Sequence, residues 1–184
     1  MPYLLDSPPI DFKSRPILFI DLEMTGLDVA KHEIVEIAAL LVNQPDFTVV
    51  NSFYTKVKPL HPETGDPKSL KIINYSAKDW KEAIPLHQAL QELADFAPNC
   101  FLAGWCVQNE WDFLNHALEQ ERIPYFYKHQ LIEVFSLAYA RYYQDPDMKF
   151  INLPSVSRRL GIHIEQHKPD SDIRATYEIF KKLI

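Results

Sequence analysis

A chain of 184 residues, 47% of them hydrophobic, is long enough for one domain with a sizeable core. Its formal net charge of −6 argues against a large non-specific nucleic-acid-binding surface, although acids gathered to hold a cation would themselves add to that count. No apolar run approaches the ~20 residues of a membrane-spanning helix, the first fifteen residues carry prolines and acids rather than a signal sequence, and Cys100 and Cys106 fit a reduced thiol pair. The expectation is a soluble, cytoplasmic protein with no membrane partner.

In chain order, residues 1–15 read as a proline-rich N-terminal arm and residues 16–184 as a single domain. Ile17, Leu18, Phe19 and Ile20 form the apolar run of a strand buried on both faces. A second strand follows over 33–43, a turn at Gln44-Pro45-Asp46, and a third, alternating strand over 47–58, so the first three strands form an antiparallel meander. Residues 59–68 read as a loop. Helical spacing begins at Ser69 with Leu70 and Ile73; Ser76 is placed to cap a helix, and Pro85 starts one that runs to about Phe96. A fourth strand covers 100–105. Helices are expected over 109–120, 131–143, 153–160 and 171–184, the third stopping at Gly161. Strands first, then helices alternating with strands, predict an α/β sandwich around a mixed sheet.

The first strand does not end as a buried strand should. It carries Asp21 and Glu23, whose side chains share a face and sit roughly 6–7 Å apart along the chain. Two such carboxylates repel each other and resist burial, and a divalent cation between them relieves both costs; hard cations such as Mg²⁺ take oxygen ligands of this kind. A lone Asp-x-Glu is common, so its position after an apolar strand and before Thr25-Gly26-Leu27 carries the weight. Gly26 allows a tight turn and a close approach of another backbone. Glu36, inside the second strand, reads as structural, paired with a nearby base.

The stretch Asp21-Leu22-Glu23-Met24-Thr25-Gly26-Leu27 resembles the first motif of the DEDDh 3′→5′ exonucleases, the superfamily of proofreading exonucleases, oligoribonuclease and ribonuclease T. The segment from Gly104 to Leu114 resembles the second. Alignment on Gly104 and Phe113-Leu114 puts Glu110 where the family has an aspartate, with Asp112 as the fallback, and Cys106 and Asn109 depart from the pattern. His167 and Asp172 resemble the third motif, His-x-Ala-x-x-Asp, with Pro169 in place of Ala; Asp170 is a nearby decoy that the family spacing rejects. Asp172 falls in a first helical turn, where the macrodipole favours an anion. The other histidines, His32, His61, His87, His116, His129 and His163, have no ligand spacing and no assigned role.

The resemblance implies a ribonuclease H-like fold with a mixed five-stranded sheet flanked by helices. It also implies a two-metal-ion 3′→5′ exonuclease that releases 5′-mononucleotides from single-stranded DNA or RNA. Asp21, Glu23, Asp172 and Glu110 would hold two Mg²⁺ or Mn²⁺ ions, His167 would take the proton from the attacking water, and Met24, Thr25, Gly26 and Leu27 would hold the terminal nucleotide, Leu27 as a wedge. Trp105, Trp111 and Phe150 are candidate base-stacking surfaces for which core packing is the better expectation. Lys149, Arg158, Arg159 and Lys168 form either a phosphate-guiding patch or a solvated face. The partners implied are single-stranded 3′ ends, with a homodimer or a larger nucleic-acid-processing machine as the assembly. The departures at Cys106, Asn109, Glu110 and Pro169 keep open a second reading, a catalytically weakened module of the same fold that binds nucleic acid or a partner protein.

Overall fold

Strict alternation in β1 (Ile17–Met24) divides the molecule into two cores. The computed structural model describes residues 11–124, 128–165 and 168–184. Leu18, Ile20 and Leu22 point to one side of the sheet, and Ile17 and Phe19 to the other. Asp21 and Glu23 continue the second set.

Three strands form the predicted meander: β1 pairs antiparallel with β2 (Ile34–Val42), and β2 with β3 (Val49–Lys56). On its other edge β1 takes β4 (Phe101–Gly104) in parallel, and β4 takes β5 (Lys128–Glu133), giving the order β3-β2-β1-β4-β5. This is the expected mixed five-stranded sheet. Its strand order reverses between β1 and β4, and crevices at the carboxyl ends of strands around such a switch point are where open α/β sheets bind ligands.

A short α1 (Pro67–Ile72) follows the meander. Asp66 caps it, its carboxylate accepting from the Ser69 backbone N–H at 3.1 Å. On one side of the sheet lie α2 (Leu86–Phe96) and α3 (Gln108–Gln120), whose Leu90, Leu93, Leu114 and Leu118 are fully buried with Leu18 and Leu102. On the other side, α4 (Val134–Tyr142), α5 (Leu153–Leu160) and α6 (Pro169–Leu183) form the second layer. There Phe19 meets Tyr177 and Phe180 edge-on at 5.6 and 5.3 Å, the geometry aromatic quadrupoles favour.

Two sequence expectations are corrected. Ser76 accepts from the Asp79 N–H as a cap would, yet residues 77–82 make only turns, because Trp80 is buried with its indole N–H donating to the Val35 carbonyl at 3.0 Å. The helix expected over 131–143 starts at Val134: Leu131 and Ile132 belong to β5, and Glu133 caps the helix by accepting from the Phe135 N–H at 3.0 Å. Short apolar runs read the same in either element, and pairing with β4 decides this one. Among the described residues no helix is long and apolar enough to cross a membrane.

Candidate active site at the carboxyl ends of the parallel strands

Strand β1 outruns its neighbour. Its pairing with β4 covers only Ile17 to Phe19, because β4 ends at Gly104. Any Cβ at Gly104 would lie 3.1 Å from both the Ile20 carbonyl oxygen and the Val107 side chain, so a glycine lets the chain turn here tight against β1. Beyond this point the β4-side edge of β1 needs other hydrogen-bond partners. Glu110, in the first turn of α3, supplies one: its Oε2 accepts from the Leu22 N–H at 3.2 Å. This places a buried carboxylate between Asp21 and Glu23 along the strand.

On the opposite edge the partner of Glu23 in β2 is Glu36, and the register breaks immediately after this pair. Directly opposed like charges destabilise an antiparallel pair, and irregular registers of this sort are common beside functional sites. Glu36 is buried and accepts from the Tyr54 hydroxyl at 2.8 Å. The expected basic partner is thus a tyrosine, and the acid stands within the carboxylate cluster. Asp172 enters from below, in the first turn of α6, held against the sheet by Ile173 in the core it shares with Phe19.

These acids shift one another in a single direction. Burial first, then Glu110, Glu23, Asp172 and Glu36, raise the Asp21 carboxyl well above the usual range. Burial, Glu36 and Asp172 push Glu23 up to about 7. Burial pushes Glu110 to about 8, against the lowering effect of the Leu22 N–H, with Glu23 and Glu133 adding to the rise. Such a set of hard oxygen donors, repelling one another and partly removed from water, fits a divalent cation by its chemistry. Among the described residues, no three His, Cys, Asp or Glu side chains stand in positions that would ligate one ion together.

The other candidates fall as follows. Asp112 lies on the exposed side of α3, accepting from the Gln108 amide at 2.7 Å, so the strand end receives Glu110 and not Asp112. Thr25 is fully buried; its N–H donates to the Glu33 carbonyl and its hydroxyl accepts from the Glu33 N–H, both at 2.9 Å, which closes the loop after β1. Gly26 is needed for a reason other than the expected one. The group that approaches is not a backbone but the His32 ring, 2.4 Å from where a Cβ would stand, while His32 Nδ1 accepts from the Asp28 N–H. Met24 is partly buried and Leu27 is 78% exposed at the mouth of the loop. Asp170 is exposed and paired with Arg174 at 3.0 Å. His167 lies outside the described residues. Trp111 is buried and Trp105 packs against Phe135, whereas Phe150, expected in the core, is 73% exposed.

The sequence reading misses Glu133 and takes Glu36 as structural alone. Glu133 ends β5 level with Gly104, and its Oε1 accepts from both the Cys106 and Phe135 N–H groups at 2.9 and 3.0 Å, tying the β4–α3 turn to the start of α4. No sequence signal marks it, because Lys128–Glu133 has only Leu131 and Ile132 as apolar residues and reads into the helix that follows. Glu36 joins the cluster through strand register, which sets it opposite Glu23. Cys106 holds a left-handed backbone (φ 59°) that a Cβ disfavours.

A sequence model described as exonuclease matches residues 18–180. DNA polymerase III PolC-type of Streptococcus thermophilus is 24% identical over 167 residues, 91% of this chain and 11% of the relative. The protein of the same description from Latilactobacillus sakei is 28% identical over 176 residues, 93% and 11% respectively. The chain thus spans about a tenth of the length of these curated relatives. Among solved structures, Escherichia coli Exonuclease I in complex with a dT13 oligonucleotide superposes with a TM-score of 0.77 at 16% identity, over 92% of this chain and 41% of that one. A zinc-bound complex of Exonuclease I with single-stranded DNA gives 0.79 at 16%, over 91% and 40%. At such identities the likeness establishes the fold.

Proposed function

The chain belongs to the exonuclease family, within the DEDDh superfamily, and from that premise we infer that it is a divalent-metal-dependent 3′→5′ exonuclease acting on single strands, DNA first, and releasing 5′-mononucleotides. The observation that carries this reading is Glu110 seated on the Leu22 N–H between Asp21 and Glu23 at the open end of β1, with Asp172 near enough to raise both strand acids. Asp21, Glu23, Asp172 and Glu110 would supply the ligands of the cations, by side-chain rotation from positions in which no three of them share an ion. Bound Mg²⁺ or Mn²⁺ supplies an activated water and neutralises charge on the leaving oxygen. His167, six positions before Ile173, is assigned the proton of that water. Leu27, exposed on a loop that Thr25 and His32 hold rigid, is assigned the wedge against the last base, with Met24 and Gly26 lining the place of the terminal sugar. Thr25 contributes by fixing that loop's shape.

The preference for DNA is drawn from the relatives, PolC-type polymerases and an Exonuclease I complexed with DNA oligonucleotides. Residues 16–184 are taken as one exonuclease domain working in the cytoplasm, alone, as a homodimer or within a larger machine. One observation favours the weakened-module alternative: Glu110 is already engaged with the Leu22 N–H. A 3′-labelled oligonucleotide with Mg²⁺ or Mn²⁺ decides between them. Wild type should release labelled mononucleotide, and Asp21→Ala should lose at least about a hundredfold in rate. Equal behaviour of the two proteins leaves only the binding module.

A further inference from the structure

On a chain whose formal charge is −6, one cavity inverts the sign. It is an open hollow of about 430 Å³ between the turn after α4 and the exposed side of α5, with Asp147, Lys149, Phe150, Ser155, Arg158 and Arg159 among its lining residues. Three cations face one acid. Part of this has an ordinary explanation: Arg158 and Arg159 lie in the last turn of α5, where the macrodipole favours cations, and Arg159 also donates to Asp145 at 2.7 Å. Neither point accounts for Lys149 or for the open ring of Phe150 on the facing wall.

That wall is built rather than loose. The Phe150 carbonyl accepts from the Ser155 hydroxyl at 2.7 Å, and Asn152 caps α5 by accepting from the Ser155 N–H at 2.9 Å. Asp145 accepts from the Asp147 N–H at 3.0 Å with its carboxylate and from the Met148 N–H at 3.1 Å with its carbonyl. A ring and two cations presented on a preformed backbone lose little freedom when a ligand arrives. Leu153 and Leu160 of α5 pack into the core that holds Ile173 and Phe19, so the cavity belongs to the helical layer covering the sheet face from which Asp21 and Glu23 project.

We propose that this cavity is a second contact site for the single strand, in which Lys149 and Arg158 hold phosphates and Phe150 stacks a base, several nucleotides upstream of the end held at the carboxylates. The proposal rests on the exonuclease reading. Single strands are bound without sequence preference by just this pairing of cations with an open aromatic face. An acidic peptide satisfies the cations but offers no flat base to the open ring of Phe150.

The test compares wild type with Lys149→Glu/Arg158→Glu and with Phe150→Ala, by fluorescence anisotropy in Ca²⁺, a divalent ion that supports binding of the end without rapid turnover, using oligothymidylates of about 20 and about 3 nucleotides. Both variants should bind the longer strand at least about tenfold more weakly, the double charge reversal should flatten the salt dependence of binding by about 1.4 in log–log slope, and affinity for the short strand should stay within about twofold. Unchanged affinity for the longer strand overturns the proposal, and so does an equal loss for the short one. Displacement of the longer strand by an aspartate-rich peptide at matched charge overturns it in favour of a protein partner. Because these readouts need no turnover, they stand apart from the release of mononucleotide, whose absence in wild type would sink the exonuclease reading instead.

Discussion

Glu110 shows how one side chain can hold two roles that pull against each other. As the acceptor for the Leu22 N–H it completes the edge of β1; as a buried acid pushed to about 8 it costs the fold stability at neutral pH. Glu110→Gln keeps an acceptor and removes the charge, so metal-free protein should melt at the same or a higher temperature while nuclease activity falls. Glu110→Ala strands a buried N–H and should cost about 1–3 kcal/mol in chemical denaturation. A Gln variant that melts as far below wild type as the Ala variant would show that the charge itself, not the acceptor, is what the strand end needs. Gly26 offers a second test at this scale. A Cβ would meet the His32 ring at 2.4 Å, so Gly26→Ala should destabilise the protein, and His32→Ala should recover part of the loss in a double-mutant cycle. Additive losses would show that the two do not touch.

At the scale of elements, the mismatch in length between β1 and β4 creates the site. A β4 reaching as far as Met24 would satisfy the Leu22 N–H itself and would exclude Glu110. Instead the ends of β1, β4 and β5 present Asp21, Glu23 and Glu133 beside the first turns of α3 and α6. The consequence for pH has a definite sign. Glu23 at about 7 and Glu110 at about 8 hold their protons in the fold to higher pH than in the unfolded chain, where carboxyls titrate near 4.5. Stability of the metal-free protein is therefore fully present below about pH 4.5 as far as these groups decide it, and is lost as pH rises through 7 to 8. Its melting temperature should be lower at pH 8 than at pH 5.5, and Mg²⁺ should raise it more at pH 8, where the carboxylates are free to bind. A melting temperature that rises over this interval in EDTA would contradict the raised carboxyl groups.

For the whole molecule, two cores of different make-up support one sheet. The side with α2 and α3 is largely aliphatic, whereas the side with α4, α5 and α6 adds an aromatic cluster of Phe19, Tyr177 and Phe180, with Phe47 against Phe180 at 5.4 Å and the Tyr177 hydroxyl donating to the Phe47 carbonyl at 2.7 Å. That cluster locks α6 to β1 and so determines where Asp172 stands relative to Asp21. Phe19→Ala should cost about 3–5 kcal/mol. Phe19→Leu, which keeps most of the volume, should cost less in stability yet lower activity more than an equally destabilising truncation among the α2 and α3 leucines, such as Leu93→Val. Equal losses of activity at matched stability would show that α6 needs no such fixing.

Much of this was legible in the sequence because it depends on local pattern. Alternation and apolar runs mark β1 to β4, helical spacing marks α2, α3, α5 and α6, and acids interrupting a buried strand stand out wherever they fall. Glu36 and Glu133 were not legible as neighbours of the site, since what brings them there is strand register and the pairing of β5 with β4, which span many residues. Asp21, Glu23 and Asp172 were named from their own motifs. Which acid of α3 reaches β1, why Gly26 tolerates no side chain, and that Phe150 faces water are tertiary matters. Each is decided by what another part of the chain places opposite, and contacts at long separation leave no periodic trace in the residues that make them.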